Sequence, residues 1–261
     1  MRESRRCQVI LEITKLEKKF GGLTAVNAVD LSVKEETIHA VIGPNGAGKT
    51  TFFNNITSII PADSGRIIWK GERIERLSPQ AISAKGIART FQNIRLFAYM
   101  SVLDNVITGT HNHYKSFVWG AISRNARYRR EEKESRELAM ELIEKVGLAD
   151  KRHEYARNLP YGEQRKLEIA RALASKPKLL LLDEPAAGMN NAETEELDQF
   201  IRALREDGLT VLIIEHDVRL IMSIADRITV LDYGVKIAEG NAVEVQNDDR
   251  VIEAYLGKRR A

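Results

Sequence analysis

Cysteine is nearly absent: Cys7 is the only one in 261 residues. No internal disulfide can form, and the chain fits a reducing compartment. Long apolar runs are missing as well. No stretch approaches the roughly 18 residues that a membrane-crossing helix needs, so any work at a membrane is done from the side, through a partner. The N-terminal segment MRESRRCQVILEIT is charged early and its apolar stretch is broken by Glu12, which argues against a secretion signal. Charge of one sign is also lacking. Lys and Arg number 40 against 37 Asp and Glu, a net +3, too mild to argue for nucleic acid. Neither an internal repeat nor a low-complexity segment interrupts the chain. What remains is ordinary globular composition, 43% apolar and 30% charged, long enough to bury a sizeable core as one large domain with a subdomain. Basic residues gather at Arg2–Arg6, Arg124–Arg130 and Lys258–Arg260. Each cluster reads either as a solvated face or as a contact for anionic lipid headgroups.

The string GPNGAGKT at Gly43–Thr50 has the form G-x-x-x-x-G-K-T. It follows the apolar run Ile38–Ile42 and opens a stretch that reads as helix, TTFFNNITS. Strand, glycine loop and helix are the context of a phosphate-binding loop. In such a loop the N–H groups of Gly43, Pro44 to Ala47 and Gly48 line one concavity, proline excepted, and turn towards an anion. The helix N-terminus adds partial positive charge. Lys49 is placed for the terminal phosphates of the bound anion, Thr50 for Mg²⁺, and Thr51 follows on the same turn.

Short β-branched runs at Val9–Ile13, Val26–Val33, Ile38–Ile42 and Ile67–Trp69, with turn residues such as Gly21-Gly22 and Gly71 between them, predict a strand-rich N-terminal lobe. Ser78-Pro79 reads as an N-cap with proline at the first helical position, and Ile87–Phe91 as a return to strand. Texture changes after Gln92. Ser101 caps a helix to Gly109, and apolar residues at helical spacing predict another over Arg129–Val146, stopped by Gly147. A mostly helical insert is therefore expected from about 93 to 160. Beyond it the α/β rhythm resumes: helix Gln164–Ala174, strand Leu179–Asp183, helix Glu193–Glu206, strand Thr210–Glu215. Strands this apolar are expected to have helices on both faces of a parallel sheet.

LLLLDEP at Leu179–Pro185 places two carboxylates at the end of a buried strand, where open α/β sheets bind ligands. Asp183 can orient Mg²⁺ through its hydration shell, and Glu184, one residue on, can polarise a water attacking the γ-phosphate. His216 ends another apolar strand, VLIIEH, and is expected on the γ-phosphate side of the same site. His111-x-His113 lacks a nearby carboxylate or cysteine and is a weak metal signal.

With these parts in order, nearly the whole chain resembles the ATP-binding subunit of an ABC transporter. The resemblance implies a P-loop NTPase ABC ATPase core of α/β class, with an N-terminal antiparallel β subdomain and an inserted helical subdomain. The core would be 1–92 and 163–261, and the helical subdomain 93–162. NLPYGEQRKLEIARAL at Asn158–Leu173 looks like the family's signature motif, so Tyr161, Gly162 and Glu163 would close over the ATP of an opposite protomer. Gln92 in RTFQ resembles the loop glutamine that touches Mg²⁺ and water. Phe20 in KKFGGL resembles the aromatic that stacks on adenine; the alternative is a core aromatic at a strand end. Glu184 resembles the catalytic base, His216 the switch histidine, and Ala186–Asn190 the loop that contacts the second protomer.

This sequence departs from the family's usual LSGGQ. Pro160 removes a serine hydroxyl, Glu163 sets a carboxylate near a polyanion, and Asn190 stands where Asp is frequent. Together with FGGLTAVNAVDLSV, RTFQNIRLF, DEPAAGMN and the ending VIEAYLG, these residues look like one ATPase subunit of branched-chain amino acid importers. The resemblance implies a second ATPase subunit, identical or related, two membrane permease subunits and, indirectly, an external solute-binding protein. It implies a peripheral place on the cytoplasmic face of the membrane and no nucleic acid. A cleft beside Gln92, lined by Asn93–Asp104, would receive a short permease helix. The ATPase of a lipid exporter, which shares the AYLG-like ending, and that of a urea or amide importer are alternatives. A soluble ABC ATPase acting on ribosomes or DNA is disfavoured, since tandem cassettes and long coiled-coil inserts are missing; a small-molecule kinase would leave the signature segment unexplained.

Overall fold

The computed structural model describes residues 8–113, 126–216 and 218–256. Cys7, the basic groups Arg2–Arg6 and Lys258–Arg260, Arg124 of the middle cluster and Gly257 of the C-terminal segment lie outside the described residues. Two sheets organise the rest. A long hairpin, β1 (Val9–Phe20) and β2 (Leu23–Lys34), turns at Gly21-Gly22. It is extended by β4 (Ser64–Trp69) and β5 (Glu72–Arg73) into an antiparallel sheet of order β2-β1-β4-β5. This is the expected N-terminal β lobe. The second sheet has six strands: β3 (Ile38–Ile42), β6 (Ile87–Arg89), β7 (Leu179–Asp183), β8 (Thr210–Ile214), β9 (Arg227–Asp232) and β10 (Val235–Gly240), in the order β10-β9-β3-β8-β7-β6. Its strands are parallel except β10, which runs antiparallel along β9.

The period-2 geometry of a strand divides the apolar residues between two cores. On β7, Leu180 and Leu182 join one core, and Leu179 and Leu181 the other. The first core is closed by helices: α3 (Val102–Gly109), α4 (Ala126–Lys145), α5 (Tyr161–Leu173), α6 (Asn191–Glu206) and α7 (Val218–Ile224) all bury side chains in it. The second core departs from the expectation of helices on both faces. Leu11, Ile13 and Leu31 of the antiparallel sheet cover it, together with Phe52 and Phe53 of α1 (Lys49–Ile56) and Ile82 of α2 (Pro79–Ala84). Alternate apolar residues on β1 and β2 create a single greasy face, which needs a partner sheet as much as a helix does. Each such side chain contributes roughly 1.5–3 kcal/mol on burial.

The caps read from sequence are made. Ser78 accepts from the Ala81 N–H ahead of Pro79. Ser101 accepts from the Asp104 N–H and donates to its carboxylate at 2.6 Å. Gly147 stands at φ 73° just past α4, where a left-handed residue ends a helix. Strand β6 stops at Arg89, two residues short of the expected end, because Phe91 and Gln92 turn away to bond side chains of α5. After His216 the chain adds β9, β10, α8 (Ala242–Gln246) and α9 (Asp249–Leu256), which were not expected from sequence.

His39 lies on central β3, 1% exposed, with Nε2 2.9 Å from Thr229 Oγ1. Burial lowers its pKa from 6.5 to about 4. Above pH 6.5 both folded and unfolded states are neutral there. Between about 6.5 and about 4 only the unfolded chain binds the proton, so stability falls as pH falls; below about 4 the loss levels off. The full effect is about 3 kcal/mol. Urea midpoints measured at pH 7 and 4.5 should therefore fall more steeply for the wild type than for His39→Gln. Equal slopes would refute the assignment.

Candidate active site

Ile42 ends β3 and Lys49 begins α1, so six residues turn the chain from sheet to helix. Gly43 and Gly48 make this turn possible. A Cβ on Gly43 would lie 2.0 Å from the Leu231 carbonyl oxygen, and one on Gly48 2.1 Å from that of Ala25. Gly48, at φ 95°, is also the N-cap of α1. The helix start thus faces a cleft of about 430 Å³ whose wall includes Asn45, Gly46, Ala47, Gly48, Lys49, Thr50 and Thr51. Phe20, Gln92, Glu184 and Tyr233 also line it, beside Leu23, Thr24 and Ala25 of β2. Phe20 is 45% exposed, a cleft residue and not a core one, with the Lys18 ammonium 5.4 Å from its ring centre.

Lys49 is only 6% exposed. Its Nζ donates to the carbonyls of Gly43 at 2.7 Å and Pro44 at 3.1 Å, inside the loop. Burial pushes its pKa down, and Glu184, Asp183 and Glu215 push it back up. The charges of three carboxylates therefore act on one ammonium. Asp183, at the end of β7, gives Oδ2 to the Arg89 guanidinium at 2.7 Å, both groups being buried. Its other oxygen, Oδ1, is buried with no hydrogen-bond donor. An orphaned carboxylate oxygen beside a phosphate-type loop fits a hydrated divalent cation, which keeps much of its water and needs few protein ligands. Among the described residues no three His, Cys, Asp or Glu gather as a metal cage; the His113 side chain of the pair His111-x-His113 lies outside them.

Glu184 sits at φ 49°, in the left-handed region, and its N–H is tied to the Ile214 carbonyl at 2.9 Å. Its Oε2 accepts from Gln92 Nε2 at 2.9 Å. Gln92 and Glu184, 92 residues apart, are thereby brought together. His216 Nδ1 stands 4.0 Å from the same oxygen and 3.6 Å from Glu215 Oε2. Two adjacent strand ends, β7 and β8, thus direct a carboxylate and an imidazole at one point.

Known proteins resemble this chain along most of its length. The ABC transporter family model matches residues 26–187. The chain belongs to the ABC transporter family. A second model, branched-chain amino acid ATP-binding cassette transporter, matches residues 235–261. The cassette is 44% identical to the high-affinity branched-chain amino acid transport ATP-binding protein BraF of Pseudomonas aeruginosa, over 95% of this chain and 98% of that protein. It is 42% identical to LivG of Escherichia coli K12, a protein of the same description, over 96% and 99%. Its fold is similar to the crystal structure of a nucleotide-free ATP-binding cassette from an ABC transporter, with a TM-score of 0.84 at 32% identity, covering 96% of this chain and all of that one.

The residues that resemble the signature motif do not line the cleft around Lys49. Tyr161, Gly162 and Glu163 form the first turn of α5 and are not in the wall around Lys49. Gly162 lets this turn approach α6, since a Cβ there would lie 2.7 Å from a Glu193 carboxylate oxygen. Tyr161 packs its ring over Gly188, where a Cβ would lie 3.1 Å from it. The carboxylate of Glu163 is not left bare: Lys151 Nζ donates to both its oxygens, at 2.6 and 2.7 Å. Asn190 caps α6, accepting from the Glu193 N–H at 3.0 Å while its own N–H donates to Glu193 Oε2, a capping box that explains Asn at this place.

Three residues of the cassette were missed from sequence. Glu215 is completely buried and accepts from the Ala186 N–H at 2.8 Å and the His216 N–H at 3.0 Å, so it holds the loop after Glu184 to the loop after β8. Tyr233, 85% exposed, offers the cleft a second aromatic beside Phe20. It sits in the β9–β10 turn, whose Gly234 N–H donates to the Ala47 carbonyl at 3.0 Å and so braces the phosphate loop. Arg89 binds Asp183. The turn signal Tyr233-Gly234 was readable; the burial of Glu215 and the partner of Arg89 were not, since both depend on strands distant in sequence.

Proposed function

We propose that this cassette is the ATP-binding and hydrolysing subunit of an importer for branched-chain amino acids. The observation that carries the ATPase reading is the meeting of Lys49, Glu184 and Gln92 at one cleft, with the charge of buried Asp183 acting on Lys49 from behind it. The C-terminal family match and the two relatives support the substrate class. Adenine stacks on Phe20; the loop Gly43–Thr51 and Lys49 grip the phosphates. Bound at Thr50, Gln92 and, through water, Asp183, magnesium would neutralise charge on the β- and γ-phosphates. Glu184 accepts the proton of the attacking water while Gln92 holds its carboxylate and His216 faces the γ-phosphate.

Residues 93–162 act as the helical subdomain. Their Tyr161, Gly162 and Glu163 close over the nucleotide of a second ATPase subunit, and the Lys151–Glu163 pair keeps that closing surface from repelling a polyanion. Two membrane permease subunits take up the motion, and an external solute-binding protein supplies the amino acid. The chain works at the cytoplasmic face of the membrane as a peripheral subunit: no described helix is long and apolar enough to cross it. The nearest groove to the cleft expected for the permease helix has mostly other walls than Asn93–Asp104. The groove of about 610 Å³ near Gln92 takes only Phe97 from the segment 93–104, and its other walls include Ile59, Ile82, Arg89 and Arg171. Leu96 packs on the core instead.

The test is ATP turnover in vesicles that carry the permeases and binding protein. Leucine, isoleucine or valine should stimulate it several-fold. Stimulation by urea, simple amides or lipid alone would overturn the substrate assignment.

A further inference from the structure

Arg165 and Glu168 stand one turn apart on α5, each 2% exposed, with Arg165 Nη1 3.3 Å from Glu168 Oε2. Buried ion pairs are weak stabilisers, because desolvation offsets their attraction; well-packed apolar residues often do as well or better. This pair also leaves Arg165 Nε without a partner. Stability is therefore a poor account of why two charges are placed here.

Their remaining bonds point elsewhere. Arg165 donates to the Phe91 carbonyl at 2.6 Å and to the Gln92 carbonyl. Glu168 Oε1 accepts from the N–H groups of Phe91 at 3.4 Å and Arg95 at 3.2 Å. The chain from 90 to 98 has no helix or strand, so these four backbone bonds substitute for a ladder on both sides of Gln92. Gln92 in turn reaches Glu184 at 2.9 Å. The same guanidinium donates to Tyr161 Oη at 2.9 Å, and Tyr161 lies over Gly188, four residues beyond Glu184. One buried pair thus touches the glutamine loop, the signature turn and, through Tyr161, the loop after the glutamate. Glu168 also forms part of the wall of the 610 Å³ groove, so an occupant there meets the side chain that holds Phe91 and Arg95.

We propose that Arg165 and Glu168 are positioning residues for hydrolysis: they set the backbone from which Gln92 reaches Glu184, and tie that reach to the signature turn. This rests on the ATPase reading above. The nucleotide itself is held by Lys49 and the glycine loop, so disturbing the pair moves turnover and not affinity.

The full chain serves for the test, with wild-type turnover measured first; its complete absence would count against the ATPase reading, whereas comparisons between variants bear on the pair. Glu168→Leu keeps the shape but cannot accept from either N–H. Glu168→Gln keeps an acceptor oxygen. Expected for Glu168→Leu are a kcat roughly tenfold or more below wild type, an ATP Kd within about threefold, and faster amide exchange at residues 91–95. Glu168→Gln should recover most of the rate and the protection. Should Glu168→Leu not fold, Arg165→Lys, which cannot fork onto two carbonyls, is expected to show the same split. Exchange accelerated with kcat unchanged, or kcat and affinity falling together in folded variants, would overturn the proposal.

Discussion

Lys49→Ala is expected to remove productive ATP binding, with affinity and turnover down by roughly two to three orders of magnitude, the scale of losing one strong electrostatic contact to a polyanion in a shielded site. The ammonium is nearly buried and is acted on by the charges of Glu184, Asp183 and Glu215. Without it, Glu184 in the cleft wall faces the triphosphate and only the helix dipole and loop amides oppose it. The truncation also frees the Gly43 and Pro44 carbonyls that Lys49 engages, so Lys49→Met, which keeps most of the stem, separates lost charge from lost packing. Titration with a fluorescent ATP analogue and a phosphate-release assay measure both quantities. Wild-type affinity and turnover in the two variants would refute the role given to Lys49.

The elements that create this site were legible to different degrees. Strands β3 and β7 were readable to the residue, because a fully buried five-residue run flanked by Gly43 or by Asp183-Glu184 has one sensible register. Helix starts at Ser78 and Ser101 were readable because capping is local chemistry. The N-terminal lobe was readable as strands but not as the lid on the central sheet: that needs the knowledge that Leu11, Ile13 and Leu31 face Leu179 and Leu181. The stretch beyond His216 went unread although RITVLD is a short apolar run. It supplies β9, whose Leu231 carbonyl fills the space where a Gly43 Cβ would go. Glu163 illustrates the limit well. From sequence it is an unexplained acid at a phosphate-facing turn, and only the fold brings Lys151 to it from twelve residues away. Arg165 and Glu168 look like a solvent-exposed pair at i, i+3, yet both are buried; charge alone does not reveal which face of a helix turns inward.

Glu184→Gln is expected to behave in the opposite way to Lys49→Ala. The amide has the same shape, can hold the bond to Gln92, and leaves the left-handed turn at φ 49° untouched. What it loses is the ability to take a proton from water, which for a general base amounts to roughly two to four orders of magnitude in kcat. Binding should survive and even tighten, since one negative charge near the triphosphate is gone. Two chains that have closed over ATP then have no route to release, so size-exclusion chromatography with ATP and magnesium should show a two-chain species that ADP does not support. Such a species forms only if Tyr161, Gly162 and Glu163 serve the other subunit's nucleotide, because within one chain they do not line the cleft. Wild-type hydrolysis in the variant would remove Glu184 as base. Stalled hydrolysis with a strictly single-chain profile would keep the base and instead remove this chain's pairing with itself, leaving a related subunit as the only one able to complete the site.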